Sequence, residues 1–324
     1  MRILFLSTVL IAAVLAISGA GQTRDMAFDA SYDVYWKGFR VFTSNISTDV
    51  KAGKYTAKAD FYPRGFAKLF VSGKSDVVST GVLKEDGIAQ AREWRVDGRW
   101  DGEDSRRYIK FHQDGRVDQM TLEVPEDWNE FPVKPIPDEL RQGPDPMSFL
   151  VSMLRAPWHY FDNKDSGADF QMNMIDGFGV QRYSLNCLAE DHELEEKKSR
   201  SPYAGKTRLC TIKSKQLAGF IDIEAMTPEQ RKKYDKQKAK ADKKREKRRR
   251  KAEKERQKAI AKAKKTGEEI DLNDTSGQIQ VWFQYFEDQR AYIPVRAQLP
   301  PRMGRATLYL ASLTSSLPGQ QKAR

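Results

Sequence analysis

Residues 28–50 read FDASYDVYWKGFRVFTSNISTDV, and this stretch decides the fold. Aromatic and β-branched residues crowd two runs of rough apolar–polar alternation, parted by Lys37-Gly38. That is the pattern of two half-buried strands joined by a tight turn. Working outward, KYTAKADFYP (54–63) adds a third strand and ends at Pro63. In GFAKLFVSGKSDVVSTG (65–81), Phe66, Leu69 and Phe70 suit one helical turn, while Asp76–Thr80 suits a strand. AQAREWRVDG (89–98) and SRRYIKFHQDG (105–115) alternate clearly. Asp97-Gly98, Asp101-Gly102, Asp114-Gly115 and Asp176-Gly177 are hairpin signals. Short strands with such turns predict a mainly β fold, an antiparallel open barrel or spiral sheet.

The pattern breaks at Pro125–Pro146, where six prolines in 22 residues predict an extended surface connection. A helix is predicted directly after it. Asp145 is placed to cap it, Pro146 stands at its first position, and Phe149, Leu150, Met153 and Leu154 make one apolar face. It is expected to stop by Pro157 and to lie on the concave side of the sheet. Strands resume at DFQMNMIDG (169–177), GVQRYSLNCL (179–188), TRLCTIKSKQ (207–216) and FIDIEA (220–225). The charged stretch Ala189–Gly205 reads as a mobile loop. The last strands are QIQVWFQYF (278–286), AYIPVRAQL (291–299) and ATLYLASL (306–313).

One element differs from all of these. Between Glu229 and Lys265 stand 20 Lys/Arg and 6 Asp/Glu, a net +14, while the rest of the chain holds 36 basic and 39 acidic residues. The stretch 227–267 has a helical start, with Thr227, Pro228 and Gln230 set for a capping box, and Gly267 is placed to end it. Tyr234 and Ile260 are its only large apolar residues, so neither core packing nor a coiled coil is expected. Its flanks, KSKQLAGFIDIEA and QIQVWFQYF, read as a hairpin, which makes the arm a long basic helical insertion at a hairpin tip. The basic run Lys243, Lys244, Arg245, Lys247, Arg248, Arg249, Arg250 and Lys251 is its anion-binding segment.

Residues 1–20, MRILFLSTVLIAAVLAISGA, have a basic start, an apolar run and a small-residue end, so a cleaved signal peptide is expected. Residues 21–324 then form a single β-rich envelope domain interrupted by 227–267. No Cys follows Ala20, so no lipid anchor is indicated. The expected location is the periplasm.

The chemistry-bearing residues are few. His112, His159 and His192 have no metal-ligand spacing, and two Cys with three scattered His do not make a zinc set. No nucleophile elbow, zincin helix or phosphate loop occurs, and Gly177-Phe178-Gly179 reads as a turn. Glu93 and Asp97 flank Trp94, a carboxylate pair of the kind that cleaves glycans, among dozens of other carboxylates. No cofactor and no metal is expected.

The stretches YDVYWKGFRVF, KYTAKADFYPRGFAKLF, DPMSFL, VWFQYF, AYIPVRAQL and GRATLYL, in that order, resemble a proteobacterial cell-envelope family, domain of unknown function 3108. The likeness spans most of Tyr32–Leu310 apart from the basic insertion, which replaces a short loop of the family. It implies a signal-bearing periplasmic protein whose architecture is similar to the helix-plugged β barrels of lipoprotein carriers. It supplies no catalytic residues.

Three function classes follow. The first is a non-enzymatic envelope protein that docks on a protein partner or an anionic surface through its basic arm, with peripheral membrane contact. The second is a carrier of an acyl chain or other apolar ligand in an open barrel. The third is a glycan or cell-wall hydrolase. Nucleic acid is not an expected partner, since the arm lacks interleaved aromatics and the chain bears an export signal.

Cys187 and Cys210 are the only cysteines. In an oxidising compartment they are expected to pair, closing a loop that lends about 3 kcal/mol in the chain-entropy account. Thiol titration of the non-reduced, denatured protein is expected to find no free thiol; two per chain refute the pairing.

Overall fold

The computed structural model describes residues 25–155, 158, 170–188, 191–196, 199–266, 278–299 and 306–315. The expected signal segment, residues 1–20, lies outside them, as does His159. The first seven strands are β1 (Met26–Trp36), β2 (Phe39–Lys51), β3 (Lys54–Pro63), β4 (Gly73–Leu83), β5 (Ala89–Trp100), β6 (Glu103–Phe111) and β7 (Val117–Glu123). Helix α1 (Pro146–Met153) separates them from β8 (Phe170–Ile175), β9 (Val180–Cys187), β10 (His192–Leu194) and β11 (Gly205–Ala218). Helix α2 (Pro228–Thr266) precedes β12 (Ile279–Phe286), β13 (Ala291–Gln298) and β14 (Ala306–Ser315).

The strands make one antiparallel sheet in the order β7-β6-β5-β4-β3-β2-β1-β14-β13-β12-β11-β9-β8, with β10 on β11. The two meanders join where β1 pairs with β14. Tight turns set their register: Lys37 and Gly38 have φ of 50° and 90°, the left-handed pair that a two-residue hairpin turn requires.

The outer strands β7 and β8 do not pair with each other among the described residues. The proline-rich segment fills the seam. Val117 N donates to Arg141 O at 2.8 Å, Gly143 N to Gly115 O at 3.3 Å, and Ile175 N to Pro144 O at 3.0 Å. Arg107 of β6 crosses the same gap, donating to Asp176 O at 3.3 Å while its guanidinium lies over the Trp94 and Phe178 rings. The result is an open, barrel-like sheet with a mended seam. Pro125–Pro146 is therefore a surface connection that also serves as a structural strip, with 3-10 turns at Glu126–Asn129 and Asp138–Leu140.

Helix α1 packs on β3, β4, β5 and β8. Its buried residues are Met147, Ser148, Val151, Ser152 and Met153. Of the expected face, Met153 and Leu154 are buried and Phe149 and Leu150 pack partly buried against the core, while two serines, Ser148 and Ser152, are buried as well. Asp145 is the reason. It is fully buried, and Oδ1 accepts from Met147 N at 2.8 Å and Ser148 N at 3.0 Å. Its Oδ2 accepts from Ser79 Oγ at 2.8 Å and from Ser148 Oγ. Tyr55 Oη lies 2.5 Å from Ser148 Oγ, and Ser152 Oγ accepts from Ala89 N at 2.9 Å.

Other expectations are corrected by the structure. Asp97-Gly98 lies inside β5 and is not a turn. Glycine is needed there because a Cβ would stand 2.7 Å from Ser75 Oγ, which accepts from Trp100 Nε1 at 2.7 Å. Residues 220–225 form no strand of the main sheet. Gly219, at φ 84°, turns the chain, and Ile221 instead bridges Val133. The stretch 189–205 is held wherever it is described: His192–Leu194 pair with β11, and Ser201 Oγ donates to Leu310 O at 2.7 Å. Phe66 and Leu69 do lie in a helical turn, a 3-10 turn over Gly65–Leu69.

Cys187 and Cys210 are bonded, with an S–S distance of 1.99 Å, and they face each other in the β9–β11 register. The bond is consistent with an oxidising compartment.

Burial holds the Asp145 carboxyl above the ordinary value of 3.8. Its folded value thus exceeds its unfolded one, so its ionisation favours the unfolded chain: the contribution is complete below the unfolded value and is lost as pH rises through the folded one. Replacement Asp145→Ala is expected to cost about 3 kcal/mol through the lost cap and stranded donors. Asp145→Asn is expected to cost less, with the wild-type advantage shrinking as pH rises from about 4. Urea unfolding of the three proteins between pH 4 and 8 checks both the size and the sign.

Candidate functional site

Helix α2 is 39 residues long, about 58 Å at 1.5 Å per residue. A capping box starts it: Gln230 N donates to Thr227 Oγ1 at 3.2 Å, and Thr227 N donates to Gln230 Oε1 at 3.0 Å. Glu229 lies in the first turn, where the helix dipole favours an anion.

The helix base is docked by polar and aromatic contacts and joins neither core cluster. Gln230 Nε2 donates to Glu130 O at 3.1 Å, and Lys233 Nζ meets Glu130 Oε1 at 2.7 Å. Gln237 Nε2 donates to the same carboxylate oxygen at 3.2 Å. The rings of Phe131 and Tyr234 meet edge to face with centroids 5.5 Å apart. Residues 230, 233, 234 and 237 lie on one face of a helix. The hydrogen bond from Lys233, helped by Gln237, holds the Glu130 carboxyl below its ordinary value despite some desolvation. Glu130 and Phe131 were not legible as partners: nothing in a proline-rich connection marks the residues a distant helix will meet.

Beyond the base, α2 faces solvent. Lys243, Lys247 and Arg250 are exposed, and Arg250 pairs with Glu246 at 2.6 Å. The side chains of Lys244, Arg245, Arg248, Arg249 and Lys251 lie outside the described residues, although their backbone is helical. No described helix is long and apolar enough to cross a membrane.

The other candidates are not brought together. Glu93 accepts from Tyr108 Oη at 2.8 Å, and Asp97 is bound by Arg95 and Arg106 at 2.8 and 3.0 Å. Trp94 is buried on the opposite face of the same strand, so the pair lacks the shared cleft that a glycan needs. His112 sits half-exposed, 3.4 Å from Asp118. Among the described residues no cluster of metal-ligating side chains occurs. Asp145, Ser148 and Ser79 do cluster, but every one is fully buried. What remains is a densely cationic rod fixed to the sheet at one end.

No family model matches the chain, and no curated protein matches it. A solved structure described as a beta-barrel-like protein of domain of unknown function DUF1849, from Brucella abortus, is similar to it at 10% identity. The likeness covers 91% of this chain and 99% of that one, with a TM-score of 0.42.

Tyr234→Ala is expected to lower stability by about 1 kcal/mol through loss of the aromatic pair. Removal of Lys238–Thr266, beyond the base, is expected to change it by less than about 0.5 kcal/mol. Urea unfolding compares the two; a larger loss on truncation makes the distal helix structural.

Proposed function

We propose that this protein is a non-enzymatic periplasmic component of the cell envelope that docks on an anionic surface through α2. The observation that carries the reading is the division of that helix. Its first turns are pinned on Glu130 and Phe131, while Lys243, Lys247 and Arg250 stand exposed farther along. In this reading residues 227–267 are an insertion into a β-rich envelope domain, the first 20 residues direct export, and the chain is a relative of domain of unknown function 3108. The disulfide fits an oxidising compartment.

A cationic rod with no apolar stripe binds by charge alone. Each Lys or Arg close to an anionic membrane contributes about 1 kcal/mol, fading within a Debye length of about 8 Å in physiological salt. The interior is not proposed as the working part. Side chains such as Trp94, Ile109, Val151 and Ile293 fill it from α1 and the strands.

Co-sedimentation with vesicles of phosphatidylglycerol and phosphatidylethanolamine, at low salt, tests the reading. Removing Lys238–Thr266 is expected to weaken binding at least about a hundredfold. Equal binding with and without that segment overturns it.

A further inference from the structure

The end of the sheet from which α2 departs is also its apolar end. The registers fix this. Trp36, at the end of β1, pairs with Ala306 at the start of β14. Thr307 pairs with Gln298 at the end of β13, which pairs with Gln280 at the start of β12. Ile279 pairs with Ile212, and β11 runs on past it to Ala218 and then to α2. The β1–β2 turn, the β3–β4 connection and the root of α2 thus share one rim.

Nine large apolar side chains are exposed among the described residues. Seven belong to this rim, and the other two, Leu188 and Tyr285, belong to the far ends of β9 and β12. Phe39, Leu69 and Phe70 are 61%, 81% and 76% exposed. They form one patch: Phe66 touches Phe39 at 5.4 Å, Phe70 at 6.3 Å and Trp36 at 6.5 Å between ring centroids. Trp128, Val133, Phe220 and Ile221 continue the apolar rim beside the base of α2.

The patch is built to stay exposed. Its two loops are locked by Arg64 N donating to Val41 O at 2.7 Å and by Gly65, where a Cβ would stand 2.8 Å from Arg40 O. Lys37, Arg40, Arg64 and Lys68 lie within a few residues of it along the same two loops, with Lys37 over the Trp36 ring. Asp33 is paired with Arg40 and bonded by Thr43, and Asp101 accepts from Ser72. Contiguous exposed apolar surface marks an interaction site. Aromatics at loop tips ringed by cations match the headgroup layer of an anionic bilayer, where rings enter the interface and lysines meet phosphates.

We infer that this rim is a membrane-insertion surface: the Trp36–Phe39 and Phe66–Phe70 tips enter the interface of an anionic phospholipid bilayer. This contact is apolar and does not depend on α2 binding anions. It holds the barrel end-on, with α2 leaving from the bilayer side.

Tryptophan quenching by shallow brominated phospholipid in phosphatidylglycerol vesicles reads the contact in the full chain. At about 0.5 M salt the Debye length is only about 4 Å, so the charge-driven share of α2 is screened while insertion persists. Quenching is expected to survive that salt and, with Trp128→Phe as background to silence the other exposed rim indole, to disappear in Trp36→Phe; vesicle affinity is expected to fall at least about tenfold in the triple variant Phe39→Ser, Leu69→Ser, Phe70→Ser. An unchanged circular-dichroism melt shows the variant folded. Quenching abolished by salt, quenching retained in Trp36→Phe on that background, or vesicle affinity unchanged in the triple variant overturns the inference. So does a wild-type dimer in sedimentation that the triple variant dissolves while vesicle binding stays the same, since the patch then serves a second copy of the chain. Failure of the docking role of α2 would show instead as equal low-salt binding without Lys238–Thr266, leaving the high-salt quenching intact.

Discussion

A fully buried carboxyl group, Asp145, is the constraint on which the rest of the barrel-like sheet turns. Helix α1 enters the interior N-terminus first, and the amide hydrogens of its first turn have no partner within the helix. Buried among strands, they must be satisfied by protein. Asp145 takes two of them on one oxygen and two hydroxyls, from Ser79 and Ser148, on the other. The cost of desolvating the carboxyl shows in its raised pKa. The hydrogen bonds offset that cost only if β3 and β4 present Tyr55 and Ser79 at matching positions. The cap therefore fixes the helix to particular strands and faces, and a rotated or shifted helix would strand several polar groups at once.

From that pin the coupling runs outward along the chain. Residues 141–144, just before the cap, bond to the β6–β7 turn region and to β8, so seating the helix also mends the seam. Farther back, Lys134 N donates to Phe220 O and Asp222 N to Pro132 O, which ties the strip to the segment leading into α2. Glu130 and Phe131 then receive the helix base. The interior helix, the seam and the basic rod are thus connected through one proline-rich strip. Proline suits such a strip because it keeps the chain extended and lacks the amide that an unpaired edge would waste.

The sequence was most legible where structure is local. Alternation and turn residues mark β1, β2, β3, β5 and β6, and Asp145 with Pro146 marks the start of α1, because each signal lies within a few residues of its effect. It was least legible where distant groups meet. The seating of α1 depends on Ser79 and Tyr55, more than sixty residues away, and Ser148 and Ser152 carry no periodic apolar signal. Gly98 looked like a turn because Asp-Gly normally is one, whereas Ser75 and Ser105 crowd it from neighbouring strands. In the basic stretch, composition exposed the charge, but the docking face of Gln230, Lys233 and Gln237 is polar and invisible to a search for apolar stripes. The exposure of Phe39, Leu69 and Phe70 was equally hidden, since a large apolar residue in a strand or helical turn reads as core until its neighbours are known.

Placing charge and apolar surface on one rim has a consequence that neither has alone. Coulomb attraction reaches about a Debye length and orients the molecule as it approaches an anionic layer. Apolar contact acts only on touching, and it needs the right end to arrive first. A basic rod elsewhere on the barrel would bring a polar wall to the surface and leave the aromatic tips in water. In the proposed docking, a rod rooted beside Phe220 and Ile221 would instead draw in the rim that carries Phe39, Leu69 and Phe70. In the proposed docking α2 needs no apolar stripe: a helix that itself inserted would lie in the interface and compete with the rim, whereas a strongly basic one would only have to steer.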